Sequence, residues 1–297
     1  MMVDRMSRGT ALLRPTSPLD AHVEFLGSWD RGSGAENRSW AVPRGALTVI
    51  IDVAGNSDLC LYAADGHTRL QVPPAFVAGA GTTPYIIHLT PDQAVMTIHF
   101  RPGGAWAFLG TALGELENCC VGLDQLLGAS ATVLRERLVE TPLRTARIGL
   151  IEQFLLQRMA TGYTGHSPAV SSTLAEIERT PSMRIAAARE AAGLSPKRFT
   201  ALFRDEVGLA PKSFQRVRRV QAALRRLDSD RASGATIASE LGYFDQAHFV
   251  RDFRQFTAHT PTQYVQSRSA LPGHVNLGEP PGGRQKYPSQ EPGSRRR

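Results

Sequence analysis

The chain has 297 residues, 42% of them hydrophobic, which is apolar material for two globular domains and a tail. No run of 18 apolar residues occurs, and Met1 to Pro15 lacks the apolar core and cleavage site of a secretory signal, so neither a membrane span nor export is expected. The net charge of +7 is uneven: residues 171–270 carry 16 Lys/Arg against 10 Asp/Glu, and residues 271–297 carry 5 against 2, while residues 1–170 are slightly acidic. Phosphate neutralisation needs such a cationic half, although a basic balance also serves solubility. Cys60, Cys119 and Cys120 offer neither a disulfide framework nor a Cys-x-x-Cys metal spacing, which points to a reducing, cytoplasmic compartment.

Residues 1–122 read mainly as β. Ala46 to Val53 ends on an Ala-Gly-Asn turn, Leu59 to Ala63 precedes the hairpin dipeptide Asp65-Gly66, and Phe76–Ala80, Tyr85–Leu89 and Ala94–Phe100 are short apolar runs bounded by Gly and Pro. That spacing predicts a small barrel or sandwich. Arg101-Pro-Gly-Gly104 breaks the pattern and Ala105 to Leu109 forms a helical turn. The period then becomes helical, with one helix over Ala131–Val139 and another over about 147–159, whose Ile148, Ile151, Leu155 and Met159 make one stripe. Ordinary core explains that stripe better than a dimer seam. Residues 161–170 read as a linker, and residues 271–297, loaded with Pro, Gly and Arg, as a disordered tail.

Between them one pattern is written twice. Ile185 to Arg204 and Ile237 to Arg254 each give a short Ala-rich helix, a turn opened by Gly193 or Gly242, and a helix with two Phe at i,i+4: Phe199/Phe203 and Phe249/Phe253. Each copy closes on a proline, Pro211 or Pro261, that begins the next helix. Two helix-turn-helix units have this signature, and such a unit lays its second helix in the DNA major groove.

Residues 171–268 resemble the DNA-binding domain of the AraC/XylS family of bacterial transcription regulators. The likeness is carried by Ala-Gly-Leu-Ser-Pro-Lys-Arg-Phe at 192–199, Leu-Phe-Arg at 202–204, Gly-Leu-Ala-Pro at 208–211, Leu-Gly-Tyr-Phe-Asp-Gln-Ala-His-Phe at 241–249, Phe-Arg at 253–254 and Thr-Pro-Thr-Gln-Tyr at 260–264. Residues 1–160 resemble more loosely the sensor-like domain that precedes it in some members, through Phe-Arg-Pro-Gly-Gly-Ala at 100–105 and Leu123-Asp-Gln-Leu-Leu. The fold expected is α+β: a small β-rich domain ending in helices, then a seven-helix, all-α domain of two units joined by a long helix from Pro211 to Leu227.

The resemblance implies recognition helices at about 195–206 and 245–256 in successive major-groove turns. Carried over by position, Lys197, Arg198, Thr200 and Ala201 face bases and Arg204 a phosphate. In the second unit Gln246, Ala247, His248, Val250 and Arg251 face the groove and Arg254 the backbone. Gln246 suits adenine and Arg251 guanine, while Ala201 offers only a methyl where family members often have Arg. Double-stranded promoter DNA and RNA polymerase are the partners implied, with a small-molecule effector and a homodimer allowed; no cofactor, metal or catalysis is expected. The competing reading is a small-molecule-binding protein whose DNA-binding domain is weak or vestigial. Two residues depart from the family pattern. Arg189 stands where a small residue is preferred, and must snorkel or tilt the helix pair. Ala258 stands where the first unit has Gly208; Thr257 and His259 offer other capping groups, so negative φ and a reshaped helix end are expected there.

Enzymatic readings find little support. His88 and His99 lie on separate expected strands without a partner at metal spacing. The vicinal Cys119-Cys120 has no neighbouring base in sequence to lower a thiol pKa.

Overall fold

The computed structural model describes residues 3–4, 10–29, 37–55, 59–89, 93–160, 165–229, 234–267 and 274–276. The N-terminal half is built on two antiparallel sheets. Its strands are β1 (Val3–Asp4), β2 (Thr10–Leu13), β3 (Val23–Trp29), β4 (Asn37–Ala41), β5 (Thr48–Asp52), β6 (Cys60–Tyr62), β7 (Arg69–Leu70), β8 (Ala75–Ala78), β9 (Tyr85–Leu89), β10 (Val95–Phe100) and β11 (Cys120–Gly122). One sheet runs β1-β2-β3-β10-β5-β8-β11. The other runs β4-β9-β6-β7, and a strand from the C-terminal tail, β12 (His274–Asn276), pairs antiparallel with β4.

Period-two alternation makes the large sheet two-faced. Val49, Ile51, Val77, Met96, Ile98 and Phe100 belong to the main core, which also holds Phe108, Leu134, Ile148, Ile151 and Leu155 of the helices that follow. Ile50, Phe76, Ala78 and Val95 point the other way, into a smaller cluster with Leu61 of the second sheet and Leu59 just before it. The large sheet is therefore covered on both sides, by helices on one and by the small sheet on the other. The covering helices are α1 (Trp106–Leu109), α2 (Leu123–Leu127), α3 (Ala129–Glu140) and α4 (Arg144–Met159). The 148/151/155 stripe is buried and Met159 packs at its margin, so this face is core.

Seven helices follow among the described residues: α5 (Pro168–Arg179), α6 (Ile185–Ala191), α7 (Pro196–Val207), α8 (Pro211–Asp228), α9 (Gly234–Glu240), α10 (Gln246–Thr257) and α11 (Pro261–Gln266). A proline, a side-chain cap or both start five of them. Ser167, Ser195 and Thr260 accept from the backbone N–H three residues on, each with proline at the next position, and Asp245 does the same for α10. The 18 residues of α8 span about 27 Å. Its buried Phe214, Val217, Val220, Ala223, Leu224 and Leu227 supply the wall on which both units pack.

Two expectations need correction. The linker expected over 161–170 ends early, because Ser167 caps a helix with Pro168 in its first turn; residues 161–164 lie outside the described residues. The tail is not wholly without structure, since His274–Asn276 finds the open edge of β4 and adds a strand to it. Within the expected β region, strands also precede Ala46: β2 lies beside β3, β3 beside β10, and β4 beside β9.

Candidate nucleic-acid interface

Each unit presents a helix whose aromatic side is spent inward. In α7, Phe199, Phe203 and Val207 are buried, and Phe203 meets Phe199 and Phe214 at ring-centroid distances of 6.3 and 5.6 Å. The opposite side leaves Lys197, Arg198, Thr200, Ala201 and Arg204 exposed. In α10, Phe249, Phe253 and Phe256 are buried, with Phe253 5.6 Å from Phe249 and 5.8 Å from Tyr264. Gln246, Ala247, Arg251 and Arg254 are exposed, while His248 and Val250 are half-buried. The His248 ring stands edge-on to Tyr243 at 5.3 Å, and Val250 packs against the core.

The turns that set these helices use the left-handed backbone that glycine allows. Gly193 and Gly242 have φ of +64° and +69°, and Gly208 closes α7 at +96°. At the matching end of α10, Ala258 also has positive φ, +60° with ψ +3°, contrary to the expected negative value. Both proposed capping groups are engaged there: the Thr257 hydroxyl donates to Phe253 O at 2.7 Å, and His259 N–H donates to Thr257 Oγ1 at 3.2 Å. They steady the chain reversal without removing the need for a left-handed residue. Arg189 bends to Glu190 at 2.8 Å and stays half-buried, which accommodates a long side chain at a site suited to a small one.

A half-exposed arginine paired with a buried carboxylate joins the long helix to the second unit. Arg216 donates to both oxygens of the buried Asp252 and to Gln255, and stacks 5.3 Å from the Phe256 ring. The hydrogen bonds to Asp252 raise the Arg216 pKa. Asp252 thus fixes the angle of α10 on α8 from the side opposite the groove-facing residues.

The first unit is also docked on the β domain. Arg204 donates through Nε to Glu117 at 3.0 Å and through its terminal nitrogen to Gly114 O at 2.7 Å, leaving the side chain 46% exposed. A Cβ at Gly114 would lie 2.7 Å from the Arg204 side chain and 3.0 Å from its carbonyl, so this approach needs glycine. On the far side of the unit Arg218 donates to Arg44 O at 3.0 Å and Gln221 to Pro43 O at 2.7 Å. Glu206, buried in α7, accepts from Ser167 N–H at 2.9 Å and faces His166 at 3.1 Å. In this arrangement the residue expected on phosphate serves as a domain contact. Sequence reading had no signal for this, because Glu117 and Gly114 sit in a short turn almost ninety residues away. It also passed over Phe244, which is 94% exposed in the turn before α10, beside the groove-facing residues. An aromatic between Tyr243 and the cap Asp245 was the signal available.

His88 and His99 lie in different sheets, and among the described residues no group of three His, Cys, Asp or Glu comes together as a metal site. No helix among the described residues is long and apolar enough to cross a membrane.

A match to a known protein family agrees with the helix-turn-helix geometry. Residues 189–267 match the family model of a helix-turn-helix domain, and residues 12–122 match that of a domain of unknown function (DUF6597). No curated protein matches by sequence. Among solved structures, ToxT from Vibrio cholerae aligns over 81% of this chain and 98% of its own, at 10% identity and a TM-score of 0.43. The C-terminal domain of AraT, a response regulator from Geobacillus stearothermophilus, aligns over 35% of this chain and 89% of its own, at 22% identity and 0.33. The AraC-like transcriptional activator CuxR aligns over 78% and 84%, at 16% identity and 0.32. The helix-turn-helix family match spans both units, so residues 189–267 form a helix-turn-helix domain of the AraC type.

Proposed function

We propose that this regulator reads operator DNA with α7 and α10 in successive major-groove turns, and that the β domain modulates the reading. One observation carries this: on both helices every phenylalanine is buried while the cationic and amide side chains share an exposed face. Lys197, Arg198, Thr200 and Ala201 are the base-facing set of α7. Gln246, Ala247 and Arg251 form that of α10, with Arg254 on the backbone; half-buried His248 and Val250 take a lesser part. Successive major-groove turns lie about 34 Å apart, and α8, at about 27 Å, is a spacer of that order. One chain then does what a helix-turn-helix dimer does with two. RNA polymerase as partner and a small-molecule effector belong to this reading. Selection of random duplexes on the purified full chain tests it: two short half-sites about 10 base pairs apart are expected. A single half-site would remove one unit from the reading. No enriched motif would favour a small-molecule-binding protein with a vestigial DNA-binding domain.

A further inference from the structure

A cavity of about 260 Å³ lies between the two sheets. Most of its lining is apolar, including Ile50, Leu61, Leu70, Phe76 and Ile87, and exposed Ala64 and Thr83 mark its rim. One end is polar, and its hydrogen bonds can be followed in sequence. The Arg44 guanidinium, which only donates, lies 2.9 Å from His99 Nδ1, so that nitrogen accepts and the ring is neutral with its proton on Nε2. That Nε2–H donates to Thr97 Oγ1 at 2.9 Å, and Trp29 Nε1–H reaches the same oxygen at 3.4 Å. Thr97 therefore accepts twice, and its own hydroxyl hydrogen has no acceptor among the described residues, although the residue is only 6% exposed. A buried donor left unmatched is unfavourable, and here it borders the cavity.

Charge restricts what can match it. Arg44 is already paired with Glu24 and lies over the Phe25 ring at 5.0 Å, so its cation is compensated before any ligand enters. An anionic ligand would bring a second negative charge into an apolar chamber whose described lining holds no Lys or Arg besides the already paired Arg44. We propose that this cavity is a binding site for an uncharged, mainly apolar small molecule carrying a carbonyl-type acceptor, which takes the Thr97 hydroxyl hydrogen. Shape selects the apolar body and Thr97 the polar group, an assignment that goes beyond the DNA-reading surface and stands independently of it.

Fluorescence titration of the full chain tests the site with three probes. Prodan is an uncharged aromatic ketone, phenylnaphthylamine is uncharged without a carbonyl, and anilinonaphthalene sulfonate is anionic. Saturable one-to-one Prodan binding is expected, with the sulfonate at least about tenfold weaker. Thr97→Val keeps the shape and removes the donor, and should weaken Prodan about tenfold while leaving phenylnaphthylamine unchanged. Ile87→Trp should block both uncharged probes; Ala63→Phe, from another part of the lining, serves if the first variant fails to fold. The proposal is overturned by no saturable Prodan binding, by sulfonate binding as tight as Prodan, by an unchanged Prodan affinity in Thr97→Val, or by binding that survives both blocking variants. The titration contains no DNA, so its failure would leave the reading of α7 and α10 where it stands.

Discussion

Ala258 is the residue whose replacement most directly tests the backbone argument. At φ +60° its Cβ crowds the following carbonyl, at a cost of roughly 1–2 kcal/mol for an L-residue. Glycine there removes the crowding but has more freedom to lose on folding, an opposing term of roughly 0.5–1 kcal/mol. Ala258 is exposed, so removing its methyl group opens no cavity in the core. Its N–H already donates to Arg254 O at 2.9 Å, a bond glycine keeps. Ala258→Gly should therefore stabilise by about 0.5–1 kcal/mol, seen as a rise of about 1–3 °C in the thermal midpoint of the full chain. The mirror experiment at the equivalent site sharpens the test. Gly208→Ala places a methyl group at φ +96°, 3.1 Å from the Ala80 Cβ of the β domain, and should destabilise by more than about 1 kcal/mol. A midpoint that falls in Ala258→Gly would refute the strain reasoning, and would mean that Thr257 and His259 hold this turn in a conformation alanine adopts freely.

Three further outcomes can be checked separately. Gln246→Ala and Arg251→Ala should each relax preference at particular operator positions, costing about 1–3 kcal/mol on the favoured base, which position-weighted selection would reveal as lost columns in the motif. Glu117→Ala frees Arg204 from a partly exposed ion pair worth about 0.2–1 kcal/mol, so operator affinity should rise by up to about fivefold in a titration at fixed salt; unchanged affinity would separate the domain contact from DNA binding. Burial, with Cys119 adding to it, pushes the Cys120 thiol up to about 11, so at pH 8 it holds little thiolate, and iodoacetamide mapped by mass spectrometry should label the exposed Cys119 well before Cys120; labelling in the reverse order would contradict the burial of Cys120.

The two helix-turn-helix units were legible in the chain because their determinants are local. Phenylalanines four apart must share a helix face, and a serine or aspartate ahead of a helix caps it whatever lies elsewhere. The inward rings of 199, 203, 249 and 253 and the exposed cations beside them follow from spacing alone. Where a departure met a non-local constraint, sequence was a poorer guide: Ala258 is left-handed because α10 must turn back toward α11 and pack Tyr264 on Phe253, and that demand outweighs the preference of alanine.

Sheets are another matter, since a strand is recognised only when its partner is known. Thr10–Leu13 and Asn37–Ala41 carry little alternation of their own and become strands because β3 and β9 offer them an edge; three tail residues do the same against β4. Thr97 and His99 share β10, Trp29 lies on the neighbouring β3 and Arg44 in the turn before β5, and the closure of the small sheet over the large one makes this cluster the end of a cavity. Arg204 illustrates the division most plainly. The sequence by itself determined that its side chain leaves the recognition helix on the solvent side, because helical periodicity decides that from its neighbours. That it meets Glu117 and Gly114 was decided by tertiary structure alone, because that contact depends on how two independently built domains dock.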